Sequence, residues 1–349
     1  MNNWEETLIN KNLTVIDTIK KIDSTVARIS LVVDDHLNLV GTVTDGDIRR
    51  GILKGVDLNK KVDNIVNRSP VVGKIGGDKN TYEKLIRLNS IHQLPLVDSV
   101  GKVCGLYIST DLYPENIKDN PVVLMVGGLG SRLGELTRDC PKPMLRIGGK
   151  PILGTIIKRF KSEGFRKFYL AVNYKSEVIE DYFGDGREFG VNIQYLREDK
   201  RMGTAGSLSL IEDVGEHPLI VMNGDLLTSI SFNEMINFHN QSKTKATMTV
   251  REYDFQVPFG VVETNGTEIK SILEKPIKKF FVNAGIYVIE ANLLSKIPND
   301  EFYDMPSLFN SLINGGIKTG VFPIREYWRD IGRREDFEIA DIEYQENFK

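Results

Sequence analysis

Three glycines and an arginine (Gly127, Gly128, Gly130, Arg132) crowd the end of an apolar run at 122–126. Lys142 follows ten residues beyond the arginine, with a proline on each side. Glycines let main-chain N–H groups approach a ligand with no side chain between. A row of such donors, with a forked guanidinium and an ammonium point charge, suits the oxygens of a polyphosphate. The flanking prolines stiffen the segment that aims Lys142. Two familiar glycine loops are ruled out by spacing. After Gly130 the next glycine is Gly134, which breaks G-x-G-x-x-G, and no Gly-Lys-Ser/Thr closes a Walker loop. An NAD(P)-dependent dehydrogenase fails on the same spacing, and no acidic residue closes a βαβ unit of ~30 residues.

Buried strands and amphipathic helices must position this loop. The apolar runs at 122–126, 167–172 and 219–223 are flanked by turn residues and predict buried parallel strands. Helical patterns at 151–164 and 176–184 lie between them. Alternating strands and helices predict an α/β domain with a doubly wound, mainly parallel sheet, and ligands of such sheets bind at the carboxyl ends of the strands. Asp225 then falls at a strand end, in the run VMNGD. Taken singly, Asp225 reads as a helix cap, Lys275 as a solvated lysine and Asp330 as a turn former.

Taken together, these stretches resemble the sugar-1-phosphate nucleotidylyltransferases over about residues 121–349. GGLGSRL followed by PKPML matches that family's G-G-x-G-[ST]-R-L … P-K-P, with Val126 for a usual alanine and Ser131 for a usual threonine. The resemblance implies a Rossmann-like fold with a mixed sheet. It implies nucleotide binding by Gly127, Gly128, Gly130 and Ser131, and by Gly203, Thr204, Ala205 and Gly206 of GTAGSL. Arg132, Lys142, Lys275 and Asp225 take the catalytic roles, and Asp225 and Asp330 hold Mg²⁺. Gly260 of VPFGVVE, Glu274 of EKP, and Asn283 and Gly285 of VNAGIYV face the sugar. The implied reaction is attack of a sugar 1-phosphate on a nucleoside triphosphate, releasing pyrophosphate. The runs REDKRMGTAGSLSLI, NAGIYV and YWRDIG are similar to bacterial guanylyltransferases for mannose-type, heptose or glucosamine 1-phosphates. The expected nucleotide is therefore GTP, with UTP, dTTP and CTP as alternatives.

The half before this region contains a repeat. Residues 31–48 (LVVDDHLNLVGTVTDGDI) align with 95–112 (PLVDSVGKVCGLYISTDL), each reading as strand, turn, strand and helix start. Helical patterns at 15–22 and 82–89 precede the copies. The region resembles a tandem pair of CBS domains, with repeats at about 8–55 and 70–115 within residues 1–116. Gly41, Thr44 and Asp47 carry the resemblance as G-x-x-T-x-x-D. It implies that Thr44, Asp47 and Asp111 contact an adenine nucleotide, although Ile108 replaces the second threonine. A carboxylate can accept from two ribose hydroxyls at once; the plainer role for both aspartates is helix capping. The polar stretch 117–121 reads as a linker, and 122–349 as the nucleotidyltransferase domain. A CBS pair on such an enzyme further resembles the GDP-glucosamine-forming enzymes of legionaminic acid pathways. A rival reading is an inactive nucleotide-sensing module, which the intact charged residues argue against.

Composition bounds the rest. The 349 residues carry a formal net charge of −3 and no long basic run, so nucleic-acid and membrane-surface binding lack electrostatic support. Two cysteines, Cys104 and Cys140, make no disulfide framework and fit a reducing cytoplasm. The four histidines lack metal-ligand spacing. CBS pairs associate face to face, which points to a homo-oligomer.

Overall fold

The computed structural model describes residues 4–25, 27–89, 91–109 and 117–348; Asp111 lies outside them. In the first repeat, strands Leu8–Asn10, Ile29–Val33 and Leu39–Thr44 form one sheet, parallel then antiparallel. In the second, Gly73–Lys74, Gln93–Val97 and Val103–Ile108 repeat that pairing. The turn chemistry repeats too. Asp34 Oδ1 accepts from the amides of His36 and Asn38, and Asp98 Oδ1 from those of Val100 and Lys102. Neither three-stranded sheet can cover itself. Ile29, Leu31 and Val33 of one copy share a core with Val103, Leu106 and Ile108 of the other.

The predicted linker is stitched to the following domain. The Lys118 amide donates to the Gly164 carbonyl at 2.9 Å, and Asn120 Nδ2 to the Pro218 carbonyl at 2.7 Å. Beyond it lies a seven-stranded sheet, whose strands we number in chain order. They are β1 (Val122–Met125), β2 (Lys167–Val172), β3 (Asn192–Arg197), β4 (Leu219–Asn223), β5 (Ala246–Gln256), β6 (Ile277–Ile289) and β7 (Thr319–Ile324). Their order is β3-β2-β1-β4-β6-β5-β7, with β6 antiparallel to both neighbours and all other pairs parallel. Val122 and Leu124 point into one core while Val123 points into the other. Helices such as Ile152–Ser162 and Met305–Asn314 cover the two faces. That is why β1 reads as an unbroken apolar run. Strands β5 and β6 outrun the sheet. Their ladder continues to the Gln256–Ile277 pair and carries a second hairpin, Val261–Asn265 with Glu268–Leu273. No helix among the described residues is long and apolar enough to cross a membrane.

A buried ionic clamp joins the first repeat to the sheet. Arg49, on the Asp45–Leu53 helix, is wholly buried. Its guanidinium lies 2.5 Å from Asp45, 2.6 Å from Glu326, against the Pro323 carbonyl, and 3.8 Å from the centre of the Phe322 ring. Arg325 adds contacts to Asp23 at 2.9 Å and Asp45 at 3.0 Å. Burial acts to raise the Glu326 carboxyl, but Arg49 and Arg325 outweigh it and hold it down at about 2. Removing one member of such a set leaves buried charge uncompensated. Arg49→Met is expected to cost about 3–5 kcal/mol in urea unfolding at pH 7. The cost should shrink as pH falls below 4.5, where Glu326 protonates in the unfolded chain and its native stabilisation is lost.

Glu234 lies at the same junction with the opposite sign. Burial first, then the Asp45 carboxylate, push it up to about 7. A raised carboxyl favours the fold below its unfolded value near 4.5, and that contribution is lost as pH rises through 7. Glu234→Gln should therefore raise the melting temperature at pH 8 and leave it unchanged at pH 4.5.

Candidate functional site

The site opens where β1 and β4 end, at the point where the strand order reverses. The Val126 amide donates to the Ala171 carbonyl and the Gly224 amide to the Met125 carbonyl, both at 2.9 Å, so the two loops leave the sheet fastened together. Gly130 sits at φ 65°, and a methyl group there would lie 2.9 Å from Thr137 Cγ2 and 3.2 Å from Lys142 Cβ. Only glycine lets the loop turn this close to the lysine segment. Thr137 Oγ1 closes the loop by donating to the Gly130 carbonyl at 2.9 Å.

Lys142 is buried in a short 3₁₀ turn, Lys142–Met144, entered from Pro141 and containing Pro143. Its Nζ lies 2.5 Å from Asp225 Oδ2 and 3.9 Å from Asp330 Oδ1. A small ladder brings those carboxylates together. Strand Leu226–Thr228 pairs with Trp328–Asp330, placing Leu226 opposite Asp330, and the Ile331 amide donates to the Asp225 carbonyl at 3.0 Å. Burial first, then the Asp225 charge, raise the Asp330 carboxyl against the pull of Lys142 and Arg132.

These residues border an open cleft of about 430 Å³. Gly127, Gly128, Gly130, Ser131, Arg132, Lys142 and Asp225 line it on one side, and Gly203 and Thr204 on the other. Gly203 is at φ 78°, and a methyl group there would meet the Tyr303 carbonyl at 2.6 Å. Ala205 and Gly206 were expected at the nucleotide but are buried behind it. Both amides donate to the Tyr303 carbonyl, at 3.0 and 2.9 Å, because GTAG forms a helical turn docked on that oxygen. Gly285 backs the cleft: a methyl group there would lie 2.8 Å from Asn223 Nδ2.

The remaining sugar-side residues do not line this cleft. Asn283 is spent locally, donating to Tyr287 Oη at 2.8 Å and accepting the Gly285 amide at 2.9 Å. Gly260, Glu274 and Lys275 are exposed on the ribbon that β5 and β6 form beyond the sheet. The unbroken ladder carries them away from the body. In the first repeat, Thr44 and Asp47 form a capping box. Asp47 Oδ2 accepts from the Thr44 amide and Oγ1 at 2.9 and 2.8 Å, and Oδ1 from Arg50 at 2.8 Å.

Sequence reading missed Glu198, Arg201, Asn223 and Phe302, which also line the cleft. Glu198 and Arg201 stand just ahead of the Gly203 turn, and that placement was the available signal. Burial raises the Glu198 carboxyl. Phe302 comes from a distant loop with no local signature.

The residues fit a divalent cation. Asp330 Oδ1 and Asn223 Oδ1 are buried without a hydrogen-bond partner, and Asp225 adds a third hard oxygen donor. Lys142 holds positive charge among them.

Comparison with known proteins places this geometry. The mannose-1-phosphate guanylyltransferase of Mycobacterium tuberculosis is 32% identical over 223 residues, covering 62% of each chain. The mannose-1-phosphate guanyltransferase of Neurospora crassa is 30% identical over 224 residues, 62% of this chain and 61% of that protein. The chain thus spans under two thirds of the length of the curated relatives it matches. HddC from Yersinia pseudotuberculosis, solved in complex with GMP-PN, superposes with a TM-score of 0.51 at 25% identity, covering 64% of this chain and 99% of that one. A CBS domain model matches residues 6–54, and the nucleotidyl transferase model matches residues 121–347. The chain belongs to the nucleotidyl transferase family and carries a CBS domain ahead of its nucleotidyl transferase region.

Proposed function

We propose that the protein transfers a nucleotidyl group from GTP to a sugar 1-phosphate. The convergence of Arg132, Lys142 and the glycine amides with Asp225 and Asp330 on one rim of the sheet carries this reading. A phosphate oxygen of the sugar 1-phosphate attacks the α-phosphorus. That oxygen–phosphorus bond forms, the bond from the α-phosphorus to its bridging oxygen breaks, and pyrophosphate leaves with the electron pair. Both reactants are anions, so their repulsion dominates the barrier. The contribution of the chain is neutralisation and alignment, with no covalent enzyme intermediate. Arg132 and the amides of Gly128 and Gly130 bind the triphosphate and the departing pyrophosphate. Lys142 faces the α-phosphate, and Lys275 holds the sugar phosphate. Asp225 and Asp330, with Asn223 beside them, would hold Mg²⁺, which would supply positive charge to the phosphates.

The preference for GTP rests on Glu198. Guanine presents two adjacent donors, N1–H and N2–H, and a half-buried carboxylate accepts both at once; uracil and thymine offer a single such donor. The relatives that act as guanylyltransferases agree. For the sugar, glucosamine 1-phosphate, as in precursors of legionaminic acid-type surface glycans, competes with mannose and heptose 1-phosphates. An adenine nucleotide would bind the first repeat at the cleft of about 430 Å³ beside Asp47, with Arg50 and Lys54 facing its phosphates. Calorimetry with AMP, ADP and ATP reads that site, and heat from none of them removes it.

Pyrophosphate release across the four nucleoside triphosphates and these sugar phosphates should be fastest with GTP. Lys142→Ala should cut turnover about 10²–10³-fold, and near-full activity would remove Lys142 from the reaction. Glu198→Gln should lower kcat/KM for GTP relative to UTP by about 10-fold or more, since one bidentate base contact contributes roughly 1–3 kcal/mol of discrimination. An unchanged GTP-to-UTP ratio would show that the base is read elsewhere.

A further inference from the structure

Phe302 lines the cleft and yet is 66% exposed. A single exposed aromatic ring is ordinary on a protein surface. What sets Phe302 apart is how firmly its backbone is held. After it, the Tyr303 amide donates to the Met202 carbonyl at 2.8 Å, and the Tyr303 carbonyl accepts from Ala205 and Gly206. Further on, the Met305 amide donates to Thr204 Oγ1 at 3.0 Å. Before it, Lys200 Nζ lies 2.9 Å from Asp300 Oδ2, an exposed pair that adds a weaker tie. The segment is thus fastened to the Gly203 turn on both sides of Phe302.

That turn is bare where the ring meets it. A methyl group on Gly203 would crowd Phe302 Cε2 at 3.3 Å, so glycine leaves the ring its room. Glu198 belongs to the same end of the cleft. The Met202 amide donates to Glu198 Oε2 at 3.4 Å, while the Met202 carbonyl takes the Tyr303 amide next to Phe302. One residue therefore ties the carboxylate and the ring together. The groups that suit phosphate, Arg132 and Lys142, come from other elements, the turns Ser131–Thr137 and Lys142–Met144.

We propose that Phe302 is the platform for the nucleobase of the incoming nucleoside triphosphate: the ring meets the face of the base while Glu198 meets its donor edge. On the nucleotidyl transfer reading above, on which this inference rests, the two substrates bring phosphates, hydroxylated sugar rings and one planar heterocycle. Of these the heterocycle gains most against a phenyl ring, because its faces carry no charge and no hydroxyl to desolvate. Every base has such a face, so Phe302 contributes affinity without choosing among bases, and the choice falls to Glu198. A ring on a backbone already tied down loses little freedom when the ligand arrives.

Calorimetry with GTP, UTP and inorganic tripolyphosphate, with Mg²⁺ present, tests the platform. Phe302→Ala should weaken GTP and UTP alike, by about 5- to 150-fold, the factor that one base–aromatic stack supplies. Tripolyphosphate, which has no base, should bind wild type and variant equally. Phe302→Tyr should restore GTP affinity, and Phe302→Leu should not. Fluorescence reads the cleft itself: emission from the Phe302→Trp variant, corrected for Trp4 and Trp328 of the wild type, should be quenched by GTP and left unchanged by tripolyphosphate. GTP affinity unaltered in Phe302→Ala, or restored in full by Phe302→Leu, overturns the platform while the proposed reaction stands. An equal loss for tripolyphosphate overturns it too, since a base platform does not touch a ligand without a base. A raised KM for the sugar 1-phosphate alone overturns it in favour of contact with the sugar. A wild type that binds no nucleoside triphosphate overturns the nucleotidyl transfer reading itself, and the platform with it.

Discussion

The site depends on a buried ion cluster built around one lysine. Lys142 is almost fully buried, and unpaired charge inside protein is costly. Asp225 at 2.5 Å and Asp330 at 3.9 Å compensate it. Those carboxylates come from segments about a hundred residues apart, and the small ladder between Leu226–Thr228 and Trp328–Asp330 sets their separation. Neither partner tolerates the site alone: without Lys142 the two aspartates repel, and without them a buried positive charge has no counterion. Gly130 lets the glycine loop approach Lys142 to within van der Waals contact, so the loop amides and the ammonium face one cleft.

The same strand end that delivers Asp330 also meets the N-terminal repeat. Phe322 and Pro323 lie on β7, Arg325 and Glu326 follow, and Asp330 comes four residues later. Arg49 reaches the first of these from a helix whose opening turn is the Thr44–Asp47 capping box. One continuous run of backbone therefore links the helix of the CBS module to a carboxylate that flanks Lys142. Because the clamp is buried and fully ionic, it has few intermediate arrangements: it is closed, or it exposes charge at considerable cost.

The β5–β6 ribbon follows a different logic. Near the body its residues alternate into a core. Beyond Arg251 the same alternation continues into solvent, with Tyr253, Phe255 and Phe280 sharing one side with Lys278, and Phe281 sharing the other with Glu252, Asp254 and Lys279. Continuing hydrogen bonds hold the shape of the ribbon. VPFGVVE and EKP were legible as a sugar-side pair, and they do meet through Gly260 and Glu274. That they stand outside the lining of the cleft was not legible, because local sequence carries no information on where a ladder points once it leaves the sheet.

What the sequence determined by itself is everything set by local pattern. The unbroken apolar runs predicted β2 and β4 at their observed limits, since strands buried on both faces have no polar side to blur them. The repeated Asp turns predicted two like modules, and the proline-flanked lysine and glycine spacing predicted one anion-binding cleft. Only the tertiary structure decided which residues of a motif face that cleft. Gly203 and Thr204 line it while Ala205 and Gly206 are spent on Tyr303, a carbonyl a hundred residues away. It also decided that Glu198 and Phe302 join the cleft, and that Arg49 is a buried clamp. In each case burial and partner choice depend on segments distant in the chain, and no window of sequence contains them.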